Sequence, residues 1–178
     1  MYMIKQKTKT IVFVAILSAI FYLLSVYGTL KINDSIKFTF QHLPLYIAGI
    51  LFEGAIGATV GTVGMFISQL LSPYGLTPTT ILWVLPYTVA GLLAGLLYKR
   101  FKDRLNNKIY LFLYLFVIHL VITAFNTLAL YVDSKTFGYY SFQLVFGSLI
   151  LKIVNAILIS ILYTFIVPII IRVLKKIV

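Results

Sequence analysis

Apolar runs, separated by short polar segments, occupy almost the whole chain. They extend over residues 10–27, 42–52, 55–71, 79–98, 109–131 and 142–174. A helix needs about 20 apolar residues to cross the hydrocarbon core of a bilayer. The pattern predicts an all-α membrane protein, with a compact bundle of six transmembrane helices in a single integral membrane domain over residues 1–178.

Two parts of the pattern differ from a simple membrane helix. Between the first two runs, Ile36, Phe38 and Phe40 alternate with polar residues, as in a short extended segment. We expect this segment to form a small lid at the membrane surface. The last run, residues 142–174, is longer than one crossing requires, so we expect it to tilt, to protrude or to bend near Pro168.

The composition supports a membrane location. Hydrophobic residues make up 61% of the 178 residues and charged residues 11%, and a soluble domain of this size cannot bury so many apolar side chains. The chain has no cysteine, which excludes disulfides, iron–sulfur ligation and thiolate catalysis. No small-residue cleavage pattern follows the basic amino terminus, so we interpret the first run as a retained helix.

The formal net charge of +11 comes largely from basic residues that flank the apolar runs. These residues cluster at the amino terminus, in residues 99–108 and at the carboxyl terminus. With six helices the three clusters lie on one side of the membrane, and the positive-inside rule makes that side cytoplasmic. We therefore expect both termini to be cytoplasmic, lipid to surround the bundle, and no nucleic-acid partner.

Small residues recur at helical spacing in three of the runs. They matter in lipid because they let helix backbones approach each other closely, and we expect most of the glycines to pack inside the bundle. For Ala15 and Ala19 in the first run, a contact with a partner protein is an equally open interpretation. The glycines concerned are Gly54, Gly57, Gly61 and Gly64 in the third run, and Gly91 and Gly95 in the fourth.

Polar and aromatic side chains form stripes on the fourth, fifth and sixth helices. A spacing of three or four residues places such side chains on one helical face, and polar groups are costly in hydrocarbon unless they find partners. Stripes on three consecutive helices indicate a pocket that opens outward. The stripes consist of Thr80, Trp83 and Tyr87; of His119, Thr123 and Asn126; and of Gln143, Ser148, Lys152 and Asn155.

We predict that this pocket binds a small molecule. Lys152 lies deep in the last run, and an anionic group of a ligand would pair with it; a backbone carbonyl or Asp133 is the alternative partner. Asn126 could instead bond across helices, and Trp83 and Tyr87 could belong to an interfacial aromatic belt. The predicted ligand-binding residues are Phe38 and Tyr74 in the outer loops, and Trp83, Tyr87, Asn126, Gln143, Lys152 and Asn155 in the helices.

Catalysis finds little support in the sequence. There is no His-Glu-x-x-His run, no carboxylate cluster with metal-ligand spacing and no glycine loop of the kind that cradles phosphate. Glu53 precedes a predicted helix, where a capping or helix-dipole role explains it. His119 is more typical of a structural group than of a metal ligand. We expect no enzyme activity, no cofactor and no metal.

Several segments, taken in order, resemble one known family. The segments are the basic amino terminus followed by Ala15-x-x-x-Ala19, and residues 38–64 with Leu43-Pro44 and Ala48-Gly49. Together with the six-run plan they resemble the substrate-binding S component of an energy-coupling factor (ECF) vitamin transporter, over most of the chain. Residues 125–131 are similar to a segment of the folate-type branch.

The resemblance implies a pocket at the outer side, built from the fourth to sixth helices and covered by external loops. It also implies that Ala15 and Ala19 dock on a transmembrane coupling subunit, and that two cytoplasmic ATPase subunits supply the energy. The implied location is the plasma membrane of a prokaryotic cell. The implied ligand is a water-soluble vitamin captured from outside, with folate or a related compound first.

The sequence departs from the family patterns at two places. Folate-type members usually carry an arginine near the start of the sixth helix, where this chain has Gly147-Ser148, with Lys152 a turn later. Metal-ion members use a histidine at the extreme amino terminus, which is missing here, so nickel and cobalt are not expected. Pantothenate, cobalamin, pyridoxine and hydroxymethylpyrimidine are alternative ligands. An intramembrane lipid-modifying enzyme and a channel-like structural protein are alternative functions.

Overall fold

The computed structural model describes residues 2–31 and 37–176, and nearly all of them are helical. A small two-stranded sheet interrupts the helices after the first one. In chain order the elements are α1 Tyr2–Val26, β1 Thr29–Lys31, β2 Lys37–Thr39, α2 Leu43–Leu51, α3 Gly54–Leu70, α4 Thr80–Phe101, α5 Lys108–Thr136, α6 Phe142–Phe146 and α7 Leu149–Leu174.

Among the described residues, four helical segments are long and apolar enough to cross a membrane: Thr8–Val26, Thr80–Phe101, Lys108–Thr136 and Phe142–Leu174. The helix α3 is apolar but shorter, with 17 residues. The helix α2 has nine residues, about 14 Å at the helical rise, and is almost completely buried among its neighbours. The helical membrane fold is confirmed, whereas the count of six spans and the side of the termini stay predictions.

The predicted lid is a β-hairpin. The strands β1 and β2 pair antiparallel, with Thr29 opposite Thr39 and Leu30 opposite Phe38, while Ile36 lies outside the described residues. The Tyr163 hydroxyl on α7 donates a hydrogen bond of 2.8 Å to the Thr39 carbonyl. This bond fastens the hairpin to the helix bundle.

The predicted glycine stripe lies in the contact between α3 and α4, the most extensive helix pair of the structure. A methyl group added at Gly57 would meet the Gly91 carbonyl oxygen at 2.5 Å, and one at Gly54 would meet the Leu92 oxygen at 2.6 Å. Gly64 instead faces the ring of Phe21 on α1. The glycines therefore pack inside the bundle, as expected from close helix approach in lipid.

The last apolar run is not one helix, and its interruption lies before α7 rather than at Pro168. The helix is interrupted at Gly147 and Ser148, between α6 and α7, and glycine is a poor helix former. The Ser141 hydroxyl caps the start of α6 by accepting from the Leu144 amide at 3.1 Å. The helix α7 continues through Pro168.

The fifth run extends further than predicted. The helix α5 continues to Thr136, so Asp133 lies in its last turn and not in a loop. The prediction stopped at residue 131 because polar residues follow, but these residues are satisfied locally. The Ser134 hydroxyl donates to the Tyr131 carbonyl at 3.0 Å, and the Asp133 carboxylate accepts from Thr79.

Candidate functional site

A cavity of about 510 Å³ lies between α4, α5 and α7, and residues 39–42 close one side of it. Its wall combines aromatic rings with amide, hydroxyl and imidazole groups. Lys152 is the one formally charged side chain among the described residues that line it. The cavity thus combines aromatic surfaces with many hydrogen-bonding groups, which suits a polar small molecule.

Rings of three residues form one wall of the cavity. The His42 ring stacks on the Tyr87 ring at a centroid distance of 5.7 Å and meets the His119 ring edge-on at 5.2 Å. His119 is fixed from behind, because its Nδ1 lies 3.0 Å from the Leu115 carbonyl and 3.0 Å from the Ser160 hydroxyl. A planar ligand ring could pack on such a preformed aromatic surface.

The connection between the hairpin and α2 orients Tyr87. Gln41 Nε2 donates to the Tyr87 hydroxyl at 2.8 Å. The lid segment and α4 therefore meet at one phenol group. A movement of the lid would alter the position of Gln41 directly beside the cavity.

Two buried polar atoms at the cavity have no hydrogen-bond partner in the described part of the chain: His42 Nδ1 and Asn126 Oδ1. A buried polar group without a partner costs roughly 1–3 kcal/mol, and a ligand or water in the cavity could satisfy both atoms. Lys152 Nζ donates to the Val145 carbonyl at 3.4 Å. Of the alternative partners predicted for Lys152, the structure therefore shows a backbone carbonyl.

A second chamber of about 690 Å³ adjoins the first and shares Gln69 and Trp83 with it. Tyr74, Phe137 and Tyr139 supply its aromatic lining. We call it the outer chamber, because the loops predicted to be external surround it.

Asp133 lies in the wall of the outer chamber and is 8% exposed. Its carboxylate accepts hydrogen bonds from the Thr79 hydroxyl, the Tyr139 hydroxyl and the Trp83 indole. The hydrogen bond to this carboxylate raises the pKa of Tyr139 to about 12. With these neutral donors as its partners, Asp133 is a less suitable partner for Lys152.

The structure brings most of the predicted ligand-binding residues together, although it does not test binding. Tyr74 lines the outer chamber, and Phe38 packs against the hydrophobic core beside the hairpin. Gln143 is exposed on α6 and lies in the lining of neither cavity, because the break at Gly147 separates it from the face of α7 that the prediction assumed. The residues that meet in the first cavity are Trp83, Tyr87, Asn126, Lys152 and Asn155.

Gln41, His42 and Gln69 line the cavity but were not predicted. Gln41 and His42 lie in a connection without helical periodicity, so no stripe marks them. His119 was seen in the stripe of α5 but interpreted as structural; its contacts with Leu115 and Ser160 agree with that, although its ring also lines the cavity. The sequence did offer one indication of His42, which is its position between the predicted lid and Leu43-Pro44.

The family model "ECF-type riboflavin transporter, S component" matches residues 5–173, which include all seven helices except the ends of α1 and α7. The chain belongs to this family. It is accordingly the substrate-binding subunit of an ECF transporter, a multi-pass membrane protein and not an enzyme. No curated protein matches the chain.

Membership of the ECF S-component family confirms the resemblance to S components. It does not bear out the folate-type branch, because the description of the matching family refers to riboflavin. The cavity between α4, α5 and α7 agrees with the pocket position that the resemblance implied. The identity of the vitamin therefore depends on the chemistry of the cavity.

Proposed function

We propose that this S component captures a water-soluble vitamin in the cavity between α4, α5 and α7, and that the vitamin is folate or a related anionic compound. The observation that carries the proposal is Lys152, a cation in a cavity whose described lining contains no carboxylate. Lys152 is half-buried, and a cation partly removed from water is stabilised by an opposite charge, which an anionic ligand would supply. Folates carry carboxylates, and their pterin ring suits the aromatic wall.

Riboflavin is the second candidate, because the matching family is described by that vitamin. Its ring system would also stack on the wall formed by His42, Tyr87 and His119. Riboflavin has no carboxylate, however, so it would leave Lys152 without an ionic partner. The two candidates therefore predict different roles for Lys152.

The test is vitamin binding by the detergent-purified chain. Thermal stabilisation and titration calorimetry measure the binding of folate, riboflavin, pantothenate and pyridoxine. A ligand that binds the folded state alone raises the melting temperature. We expect folate to stabilise the chain, and Lys152→Met to weaken folate binding about 10- to 100-fold, the loss typical of one hydrogen bond to a charged group.

Lys99→Met is the matched control, because Lys99 is exposed at the other end of α4. It should bind folate like the wild type. If riboflavin alone stabilised the chain, and stabilised Lys152→Met equally well, the ligand would be riboflavin and not folate. Stabilisation by none of the vitamins would contradict capture of these vitamins by the isolated subunit.

We further propose that the first helix docks on a membrane coupling subunit, which two ATPase subunits drive. Ala15 and Ala19 are both exposed, and Ile16 beside them is 49% exposed. In the apolar part of α1, only 17% of the residues are buried in the bundle, against 44% in that of α4. An apolar helix face with small residues suits close contact with another membrane helix.

The docking test is co-purification of Ala15→Leu/Ala19→Leu with the coupling subunit and the ATPases. We expect the complex to be lost while vitamin affinity stays within about twofold of the wild type. Ala124→Leu, on the exposed face of α5, makes the same kind of change at one position elsewhere and should leave assembly intact. Normal assembly of the α1 variant would exclude this face as the docking surface.

We propose that both termini are cytoplasmic in a prokaryotic plasma membrane. The positive-inside rule supports this, because Lys99, Arg100 and Lys102 cluster at the end of α4. Since the chain has no cysteine, a single introduced cysteine shows on which side of the membrane its residue lies. Thr136→Cys should react with an impermeant thiol reagent in intact cells, and Asp103→Cys should react after lysis only. The reverse pattern would invert the orientation.

A further inference from the structure

A buried carboxylate connects the outer loop to the vitamin cavity. Asp133 lies in the last turn of α5, Thr79 directly precedes α4, and Tyr139 belongs to the loop between α5 and α6. Thr79 donates to Oδ1 of Asp133 and Tyr139 to Oδ2. Trp83 Nε1 donates to Oδ1 at 3.4 Å. One side chain therefore joins two helices and a loop.

The position of Asp133 is electrostatically unfavourable in two ways. A negative charge near the carboxyl end of a helix opposes the helix dipole, and burial to 8% exposure removes most of its hydration. The donors named above are neutral, so no ion pair in the described contacts offsets these costs. The hydrogen bonds to Asp133 must therefore stabilise its negative charge in place of water, which constrains the positions of the three donors.

Trp83 is the partner that links this cluster to the ligand site. Its side chain lines both the vitamin cavity and the outer chamber, so a rotation of the indole would change the shape of both. An indole N–H can only donate, and Asp133 is the acceptor that the structure provides for it.

We propose that Asp133 is a positioning residue, which holds Trp83 in the orientation required for vitamin binding and couples that orientation to the loop carrying Tyr139. The effect on vitamin affinity rests on the proposed function. The effect on Trp83 itself does not, because it concerns the ligand-free protein.

The first experiment uses the ligand-free, detergent-purified chain, in which Trp83 is the single tryptophan. Its fluorescence therefore reports on this site alone. In Asp133→Asn the carboxylate becomes a neutral amide with one acceptor oxygen, which is a weaker acceptor. The long hydrogen bond of Trp83 should be weakened if that oxygen takes the place of Oδ1, and lost if the amide nitrogen does. We expect a shifted emission maximum and stronger quenching by acrylamide. Asp103→Asn, an exposed aspartate in the turn after α4, is the matched control and should leave both values unchanged.

Tyr139→Phe is a second variant, which retains the carboxylate and remains informative if Asp133→Asn does not fold. Removing the loop donor should also increase the quenching of Trp83, by a smaller amount. Unchanged Trp83 fluorescence in both variants would overturn the proposed coupling.

The second experiment measures the affinity for folate, or for riboflavin if that vitamin alone binds, in a double-mutant cycle. Asp133→Asn should weaken binding roughly tenfold in the wild type. In Trp83→Phe it should cause at most about a twofold further loss. Equal losses in both backgrounds would mean that Asp133 acts independently of Trp83, and would contradict the positioning role. No binding of either vitamin would contradict the proposed function, while the fluorescence result would still decide whether Asp133 positions Trp83.

Discussion

A close backbone contact between α3 and α4 makes a quantitative prediction for Gly91→Ala. A methyl group at Gly91 would fall on the carbonyl group of Gly57, where a carbon–oxygen contact normally needs about 3.3 Å or more. Both groups in conflict are backbone atoms, so a side-chain rotation cannot relieve it. The helices α3 and α4 must separate, and a gap of about 1 Å forfeits a quarter to a half of the dispersion energy of the atoms along it.

We expect Gly91→Ala to destabilise the fold by about 3 kcal/mol, the upper end of the usual range for overpacking. For a chain of this size that corresponds to a fall in melting temperature of about 6–12 °C. The assay is thermal unfolding in detergent. The loss of the helical circular dichroism signal, or the change in tryptophan fluorescence, monitors the unfolding.

Ala55→Leu is the control for Gly91→Ala, because Ala55 is exposed on α3 and leucine there adds more volume without meeting α4. It should unfold within about 2 °C of the wild type. If Gly91→Ala also unfolds within that limit, backbone contact between α3 and α4 does not set the stability of the bundle.

Three further substitutions test single contacts. Gly64→Ala should destabilise less than Gly91→Ala, because the added methyl meets an aromatic side chain rather than backbone; thermal unfolding checks the order. Asn107→Ala removes the cap that accepts from the Ile109 amide at 2.9 Å, and should cost about 1 kcal/mol of unfolding free energy. Tyr163→Phe removes the bond to Thr39; hydrogen exchange of the hairpin should accelerate about five- to tenfold.

The helices could be predicted because the sequence alternates apolar runs with polar or glycine- and proline-containing segments. Helix ends were less accurate, since the prediction treats every polar residue as a stop. At Asp133 and Ser134 the polar side chains are bonded within the fold, so α5 continues. At Gly147 the reverse applies, because an apolar run conceals a break between α6 and α7.

Much of the candidate site followed from helical periodicity. Trp83 and Tyr87, and separately Lys152 and Asn155, lie at spacings of three or four residues that place them on one face of α4 and of α7. Periodicity cannot mark Gln41, because it lies in a connection whose direction is set by the hairpin and by Tyr163. Its contact with Tyr87 joins residues 46 positions apart, and no local pattern encodes such a pairing.

The partner of Lys152 illustrates the limit of sequence reasoning, and its outcome bears on the ligand. From the sequence, Asp133 and a carbonyl were both possible partners, and pairing with Asp133 would have neutralised the cavity. In the fold, Asp133 is held by neutral donors from Thr79 and Tyr139 in the outer chamber. Lys152 donates to a carbonyl, and no carboxylate lies among the described residues that line its cavity. The acid and the cation are thus used at different places, and the cavity retains a positive charge. That separation favours an anionic vitamin over a neutral one, and makes the response of binding to Lys152→Met the discriminating observation.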